Sequence, residues 1–184
     1  MLEAKKKNTW NVVTLRESKM VAENVMSLTF DAPWWPGHLA GQHIDIRLTA
    51  PNGYQAERSY SIANAPEITG TVELGVQLLD NGEVSPYLFN LKPGGQVEIR
   101  GPIGGHFTWS VDNPGPLVLI GGGSGCVPLM SMLRHRIFHL NEEENRECLF
   151  LISSRTIDRV LYKEDLAQIA SLDKKFKLIE TITD

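Results

Sequence analysis

The sequence has few cysteines, no long apolar run and no excess of basic charge. Its two cysteines, Cys126 and Cys148, are too few for a disulfide framework or a cysteine cluster, and they favour a reducing cytoplasm. The longest apolar runs are far too short to span a bilayer, so we expect no membrane insertion. A formal net charge of -4 gives no reason to expect nucleic acid as a partner.

Candidate metal ligands and catalytic groups are also scarce. His135 and His139 are four residues apart on a predicted helix, a spacing that can bind a metal. No third ligand accompanies them in the sequence, so we expect surface histidines and no metal site. No acid–base pair or activated nucleophile stands out either. No cysteine-rich iron–sulfur segment occurs in the chain.

The first part of the chain has the pattern of β structure. Short segments rich in β-branched residues alternate with turn signals such as Pro51-Asn52-Gly53. Six strands without long helices predict a small antiparallel barrel or sandwich, with one short helix over Ser85–Leu91. The predicted strands are Trp10–Leu15, Val25–Phe30, Gln42–Leu48, Arg58–Ile62, Thr71–Leu78 and Gln96–Arg100.

The pattern changes after Asp112. Leu117–Ile120 is a continuous apolar strand, as in a parallel sheet buried on both faces, and a glycine-rich turn follows it. Strand–helix–strand–helix–strand is half of a doubly wound parallel sheet. We therefore expect an antiparallel β-barrel in residues 1–113 and a partial α/β unit in residues 114–184. The later elements are predicted over Val127–Leu140, Glu147–Ser153, Tyr162–Ala170 and Phe176–Thr183.

The segment Arg58-Ser59-Tyr60-Ser61 has the groups needed to hold a flavin. A cation suits phosphate, an aromatic face suits the ring system, and a hydroxyl can donate to a ring nitrogen. On a strand, Arg58 and Tyr60 point to one face, and Ser61 points to the other unless the strand ends or bends there. Gly82-Glu83-Val84-Ser85 adds a turn and a helix start that suit a pyrophosphate.

The loop Gly121–Pro128 follows a predicted buried strand and opens a helix. Glycines let the backbone approach phosphate, and a helix N-terminus offers free N–H groups. The loop therefore predicts a dinucleotide site whose contacts are Gly122, Gly123, Ser124, Gly125 and Pro128.

Together these motifs resemble the ferredoxin–NADP reductase superfamily. Gly101-Pro102-Ile103-Gly104 and Gly41-Gln42 resemble further motifs of that family, in the same order. The resemblance implies a bound flavin, FAD in preference to FMN, and a flavin contact surface that includes Tyr60 and Ser61 as catalytic residues. It also implies contacts to FAD from Arg58, Ser59, Gly75, Val76, Gly82, Val84 and Ser85.

The residues after the second parallel strand favour NADPH over NADH. Ser154 and Arg155 could bind a 2′-phosphate, where NAD enzymes tend to place an acid. The resemblance assigns Tyr162 to stacking on the adenine.

The expected function is an NAD(P)H oxidoreductase that passes hydride from NADPH to FAD. Electrons would then reach a redox protein such as ferredoxin or an oxygenase component. The family's sheet continues beyond three strands, so we expect the chain to be C-terminally incomplete. The alternative is therefore a truncated FAD-binding module with little or no NAD(P)H-dependent turnover.

Overall fold

The first sheet has six antiparallel strands. The computed structural model describes residues 9–140 and 146–184. In it the strand order is β4-β3-β6-β1-β2-β5, and the prediction of an antiparallel six-stranded unit is confirmed. The strands are β1 (Asn11–Ala22), β2 (Val25–Asp31), β3 (His43–Thr49), β4 (Gln55–Ser61), β5 (Thr71–Gln77) and β6 (Gln96–Ile103).

The sheet curls so that its first and last strands approach each other. Ile62, directly after β4, forms an antiparallel bridge with Leu74 on β5. The enclosed core consists of alternate inward-facing side chains, such as Ile44 and Ile46, both fully buried. Side chains alternate between the two faces of β3, since Asp45 and Arg47 face outward into ion pairs.

The short helix α1 (Ser85–Asn90) connects β5 to β6. Pro86 stands in its first turn, where a fixed φ and a missing N–H cost nothing. Leu88 anchors the helix in the barrel core. The helix thereby holds the Gly82–Ser85 turn against the end of β5.

The second sheet has three parallel strands in the order β7-β8-β9. Each connection between neighbouring strands carries a helix, as the strand–helix alternation predicts. None of the helices in the described ranges has the length and apolar character that a membrane span requires. The elements are β7 (Leu117–Gly122), α2 (Cys126–Phe138), β8 (Cys148–Ser154), α3 (Lys163–Leu172) and β9 (Phe176–Ile182).

Only one face of this second sheet is covered by the described residues. Leu119 and Phe150 pack in one core cluster with side chains of both α2 and α3. The alternate residues Val118 and Ile120 are 55% and 69% exposed. The expectation that β7 is buried on both faces is wrong for the described chain, because both helices pack on the same face.

The two sheets share a continuous contact region. Arg134 on α2 donates to the Ala63 carbonyl at 3.0 Å and to Glu73 on β5 at 2.8 Å. Beyond α2, the Tyr162 N–H donates to the Val21 carbonyl at 3.0 Å. The core cluster around α2 also includes Val25 and Ala63. The α/β half is therefore packed directly on the barrel, next to β5.

Candidate functional site

Arg58 and Tyr60 lie on the inward face of β4, near its C-terminal end. In the strand register they stand opposite Ile46 and Ile44, whose side chains fill the barrel core. Tyr60 is half-buried against that core. Burial raises the pKa of Tyr60 to about 12, although the neighbouring Arg58 charge opposes the shift. The strand thus presents a neutral aromatic ring with a cation two residues away.

A cavity of about 270 Å³ opens in front of these residues. Segments from β4, the end of β5, the turn before α1 and the glycine loop meet around it. The structure therefore brings together most residues that the sequence assigns to FAD, although they come from distant parts of the chain. The cavity is lined by Arg58, Ser59, Tyr60, Ser61, Gly75, Gln77, Leu79, Gly82, Glu83, Val84, Ser85, Ser124 and Val127.

Ser61 lies where β4 ends, as its proposed role requires. The next residue, Ile62, still donates its N–H to the Gln42 carbonyl at 3.0 Å, in register with the β3–β4 pairing, and it also bridges to Leu74 on β5. Ser61 borders the same cavity as Tyr60. By contrast, the Ser59 hydroxyl donates to Asp45 on the outward face at 2.7 Å. Although Ser59 borders the cavity, its hydroxyl is thus hydrogen-bonded on the opposite face of the strand.

Glu83 is a site residue that sequence reasoning missed. Its carboxylate accepts from the Arg58 guanidinium at 3.2 Å and from the Tyr54 hydroxyl at 2.6 Å. An anion therefore already lies beside Arg58 at the cavity wall. The sequence offered one signal, an acid inside the Gly82–Ser85 motif. No sequence pattern pointed to Tyr54, because its contact with Glu83 forms only when the chain folds and β4 packs against its neighbours.

The Gly82–Ser85 motif has a clear conformational cause. The Ser85 hydroxyl accepts a hydrogen bond from the Leu79 N–H at 3.1 Å and so closes the turn. A Cβ at Gly82 would lie 2.9 Å from that hydroxyl oxygen and 3.1 Å from the Leu79 carbonyl. Glycine is needed for this close approach. Ser85 is buried. Its hydroxyl therefore closes the turn in addition to the contact with pyrophosphate that is proposed for this residue.

The glycine loop lies at the carboxyl end of β7. A 3-10 turn over Gly123–Gly125 leads directly into α2. Gly123 has a φ of +53°, which favours glycine. Ser124 reaches the first cavity, whereas Gly122 and Gly123 border a second cavity of about 490 Å³. Gln77 and Leu79 line both cavities, which are therefore adjacent.

Some predicted contacts lie outside both cavities. Gly125 and Pro128 do not line either one, and Pro128 is buried in the first turn of α2. Val76 also lines neither cavity, and its side chain is fully buried in the barrel core.

Ser154 and Arg155 border the second cavity, as their predicted role requires. The Ser154 hydroxyl donates to the Arg159 carbonyl at 3.2 Å, and the Ser154 side chain is largely buried. Arg155 is exposed and has no ion-pair partner within residues 9–140 and 146–184. Arg159 lies at the same cavity but pairs with Glu23 at 2.6 Å. Arg155 is the cation whose charge is available there.

Tyr162 does not have the position that adenine stacking needs. It is 2% exposed and belongs to the core between the two sheets. Its ring lies 5.1 Å from the Arg134 guanidinium carbon. Burial, followed by the Glu73 charge, raises its pKa far above the ordinary value. The expectation for Tyr162 is wrong in this structure, since the barrel covers the ring.

Tyr162 also has an unusual backbone. Its φ of 56° and ψ of 33° are left-handed, although it is not glycine. A Cβ at Gly75 would lie 3.0 Å from the Tyr162 hydroxyl and 2.4 Å from Val127. The absence of a side chain at Gly75 therefore lets the two halves pack closely. Gly75 also borders the first cavity.

A third potential ligand does accompany His135 and His139 at the C-terminal end of α2. Glu67, from the segment between β4 and β5, contacts both His135 and His139. The expectation that no such group joins them is wrong, because the contact spans 68 and 72 residues of sequence.

Comparison with known proteins relates both halves to nucleotide-dependent oxidoreductases. Residues 12–109 match the family model of the oxidoreductase FAD-binding domain. Residues 119–184 match the family model of the oxidoreductase NAD-binding domain. The first match covers more than half of the chain and includes β4, the cavity turn and β5.

Individual relatives are similar to this chain at moderate identity. A Na(+)-translocating NADH-quinone reductase component of Methylococcus capsulatus is 32% identical over 151 residues, 77% of this chain and 35% of that protein. Ferredoxin–NADP reductase B from Sorangium cellulosum is 33% identical over 131 residues, 71% of this chain and 52% of that protein.

A solved structure extends the similarity to three dimensions. A cytochrome P450 reductase from Amycolatopsis superposes with a TM-score of 0.80 at 26% identity, over 96% of this chain and 53% of that one. The chain thus spans between about a third and about half of the length of these relatives.

Proposed function

Because the chain belongs to the ferredoxin–NADP reductase superfamily of FAD- and NAD-binding oxidoreductases, we propose that it passes hydride from NADPH to FAD and electrons onward to a redox partner. One observation carries this proposal. The cavity beside Tyr60 and Ser61 is bordered by Ser124 of the glycine loop and adjoins the cavity beside Arg155. A flavin and a dinucleotide in these cavities would be neighbours, as direct hydride transfer needs.

The first cavity has the chemistry that FAD requires. Tyr60 offers a half-buried aromatic face, against which a flat ring system can stack. Arg58 already contacts a carboxylate, so its guanidinium is placed to bind an anionic phosphate instead. Bound FAD would supply the hydride acceptor and the ability to release electrons singly. The protein would supply position and electrostatics.

The remaining predicted contacts have supporting roles in this proposal. We assign Ser61 to a hydrogen bond with the flavin, because it borders the cavity next to Tyr60. FAD would also be contacted by Ser59, Gly75 and the Val76 backbone. The Ser59 hydroxyl would keep its hydrogen bond to Asp45. The turn Gly82–Ser85 would face the pyrophosphate. No acid–base pair is required, since hydride transfer moves no proton through a side chain.

The second cavity supports binding of the dinucleotide through the glycine loop and Arg155. Gly122 and Gly123 allow close approach of phosphate to the backbone, with Ser124, Gly125 and Pro128 completing the loop. Arg155 and the adjacent Ser154 would receive the 2′-phosphate, which favours NADPH over NADH. The named relatives include both an NADH-quinone reductase and a ferredoxin–NADP reductase. Nucleotide preference therefore depends on these local residues.

We propose a redox protein, such as ferredoxin or an oxygenase component, as the electron acceptor. The relatives' names point to a quinone reductase, a ferredoxin reductase and a P450 reductase. We place the division between the flavin and nucleotide units at residues 113 and 114. The segment Asn113-Pro114-Gly115-Pro116 there suits a linker.

A second candidate function is FAD binding with little turnover by NAD(P)H. The uncovered sheet face at Val118 and Ile120 favours it, because a nucleotide fold normally has helices on both faces. In this case the flavin site would be occupied while the nicotinamide is poorly held.

Anaerobic stopped-flow mixing with NADPH distinguishes the two functions. The full chain, purified with its flavin, is mixed with one equivalent of NADPH while the flavin absorbance is followed. Rapid bleaching at this stoichiometry supports the reductase and excludes the second candidate. Slow bleaching that does not respond to NADPH concentration overturns the reductase. A colourless protein that takes up no added FAD contradicts both.

A further inference from the structure

Three potential metal ligands converge at the C-terminal end of α2, the end opposite the glycine loop. His135 lies in the last turn of α2, and His139 is the C-cap residue directly after the helix. Glu67 lies in the segment between β4 and β5. Its Oε1 is 2.6 Å from His135 Nδ1 and 2.7 Å from His139 Nε2. One ligand atom from each of these residues lies within 4.8 Å of the other two.

We propose that Glu67, His135 and His139 form a binding site for a divalent transition-metal ion of the zinc class. Two imidazole nitrogens and one carboxylate oxygen are a ligand set that zinc favours, whereas magnesium and calcium prefer oxygen. The site is independent of the flavin and nucleotide contacts. None of its three residues borders either of those cavities.

The geometry requires little rearrangement to accept an ion. Zinc bonds of about 2.0–2.2 Å in a tetrahedron separate neighbouring ligand atoms by roughly 3.3 Å. The nitrogens and the Glu67 oxygen are at hydrogen-bond distance, so each needs to move by less than about 1 Å. At the end of α2 the two imidazole rings already lie side by side, with 5.0 Å between their centroids.

The second Glu67 oxygen gives an independent reason to expect a ligand. Glu67 Oε2 is buried and has no hydrogen-bond partner among the described residues. Buried carboxylate oxygens are nearly always satisfied by a donor or a cation. A metal ion bound by both oxygens of Glu67 would satisfy it. The His139 side chain is 45% exposed, so one side of the site is open to solvent and to a fourth ligand such as water.

Coordination would have one local cost. With the metal on Nδ1, the neutral His135 ring carries its proton on Nε2. His135 Nε2 now faces the Val111 N–H at 3.5 Å. This long hydrogen bond would have to break, which makes the Val111 amide a reporter of binding.

The position of the site gives it a structural consequence. Glu67 belongs to the barrel half, whereas His135 and His139 lie at the C-terminal end of α2 in the α/β half. A bound ion would therefore cross-link the two halves at a distance from the nucleotide loop. Because an ion that binds only the folded state stabilises it, zinc should raise the unfolding temperature.

Zinc titration of the full chain tests this proposal. After treatment with a chelator and its removal, isothermal calorimetry with Zn²⁺ should show one equivalent bound, and Mg²⁺ should give no comparable signal. Zn²⁺ should also raise the melting temperature and shift the Val111 amide resonance. His139→Ala and Glu67→Gln should each weaken binding roughly tenfold or more, as loss of even an outer contact to a ligand can do.

His106→Ala is the matched control, because His106 is an exposed histidine outside the cluster. It should leave zinc affinity unchanged. Equal affinity in the wild-type, His139→Ala and Glu67→Gln chains would overturn the site, as would an equal loss in His106→Ala. Circular dichroism of each variant establishes that it folds. His139 is partly exposed, so at least that variant is expected to retain the native spectrum.

Discussion

The two halves of the molecule differ in how completely each buries its own apolar surface. The core of the six-stranded half consists entirely of residues between Val13 and Ile99. The core around α2 and α3 includes Val25, Ala40 and Ala63 from the other half. The second half also leaves Val118 and Ile120 uncovered. The barrel therefore can place its ligand contacts by itself, whereas the α/β half depends on the barrel for part of its packing.

This difference explains where the predicted site residues are found. Arg58, Tyr60 and Ser61 stand on or at the end of a strand that is paired within a closed sheet. Arg155 lies on an exposed segment after β8. Arg58, Tyr60 and Ser61 are thus held by the sheet, whereas Arg155 is held by a loop.

The largest expected effect is a loss of stability when the Tyr162 ring is removed from the contact region between the two sheets. Tyr162→Ala should lower the free energy of unfolding by about 3–5 kcal/mol, because it leaves a cavity between the halves. Urea denaturation measures the change. Tyr162→Phe is the control, and it should lose little, since the hydroxyl has no hydrogen-bond partner among the described residues. Wild-type stability in Tyr162→Ala, with a raised KM for NADPH, would instead restore the adenine-stacking role.

Arg58→Ala should weaken FAD binding while leaving the barrel folded. Loss of a charge-assisted contact to phosphate costs about 1.5–3 kcal/mol, or at least roughly tenfold in the Kd for FAD. The exposed ion pair with Glu83 contributes at most about 1 kcal/mol to stability. Fluorescence titration of the flavin-free chain gives the Kd.

Glu83→Gln is the companion variant for Arg58. It removes the competing anion and should leave FAD binding unchanged or tighter. A loss of FAD affinity in Glu83→Gln equal to that in Arg58→Ala would show that the ion pair, and not a phosphate contact, governs retention of the flavin.

Arg155→Ala tests the loop-held contacts on the nucleotide side. It should raise the KM for NADPH by roughly tenfold and hardly change the KM for NADH, because only NADPH has a 2′-phosphate. Steady-state reduction of an artificial acceptor measures both values. Arg159→Ala is the control, since Arg159 borders the same cavity but is paired with Glu23. Parallel losses with both nucleotides would refute the 2′-phosphate role of Arg155.

The smallest effect on stability is expected from Ile120→Glu on the uncovered face. The free energy of unfolding should change by less than about 0.5 kcal/mol, since the side chain is exposed. Self-association at high concentration should fall, because the substitution places a charge in an apolar patch. Sedimentation velocity at several concentrations measures it. Val12→Glu, an exposed apolar residue of the barrel, should not alter association; an equal decrease there would remove the distinction between the halves.

Local patterns were enough to predict the fold. Short segments rich in β-branched residues, separated by turn signals, identified the barrel strands, and the change to strand–helix alternation identified the parallel sheet. Exact bounds differed at several ends. β4 begins at Gln55, three residues before the prediction, because Gln55 and Ala56 pair with β3 in spite of their weak β pattern. The length of a strand depends on its partner, which local sequence does not contain.

The residues proposed for flavin and nucleotide chemistry could be found in the sequence, because Arg58 through Ser61 and the glycine loop are contiguous motifs. Three features required the folded chain: Glu83 accepts from Arg58, the barrel covers Tyr162, and Glu67 joins His135 and His139. The cause is the same in each case. Burial and long-range charge pairing depend on how separate elements pack, and that packing minimises exposed apolar area over the whole chain.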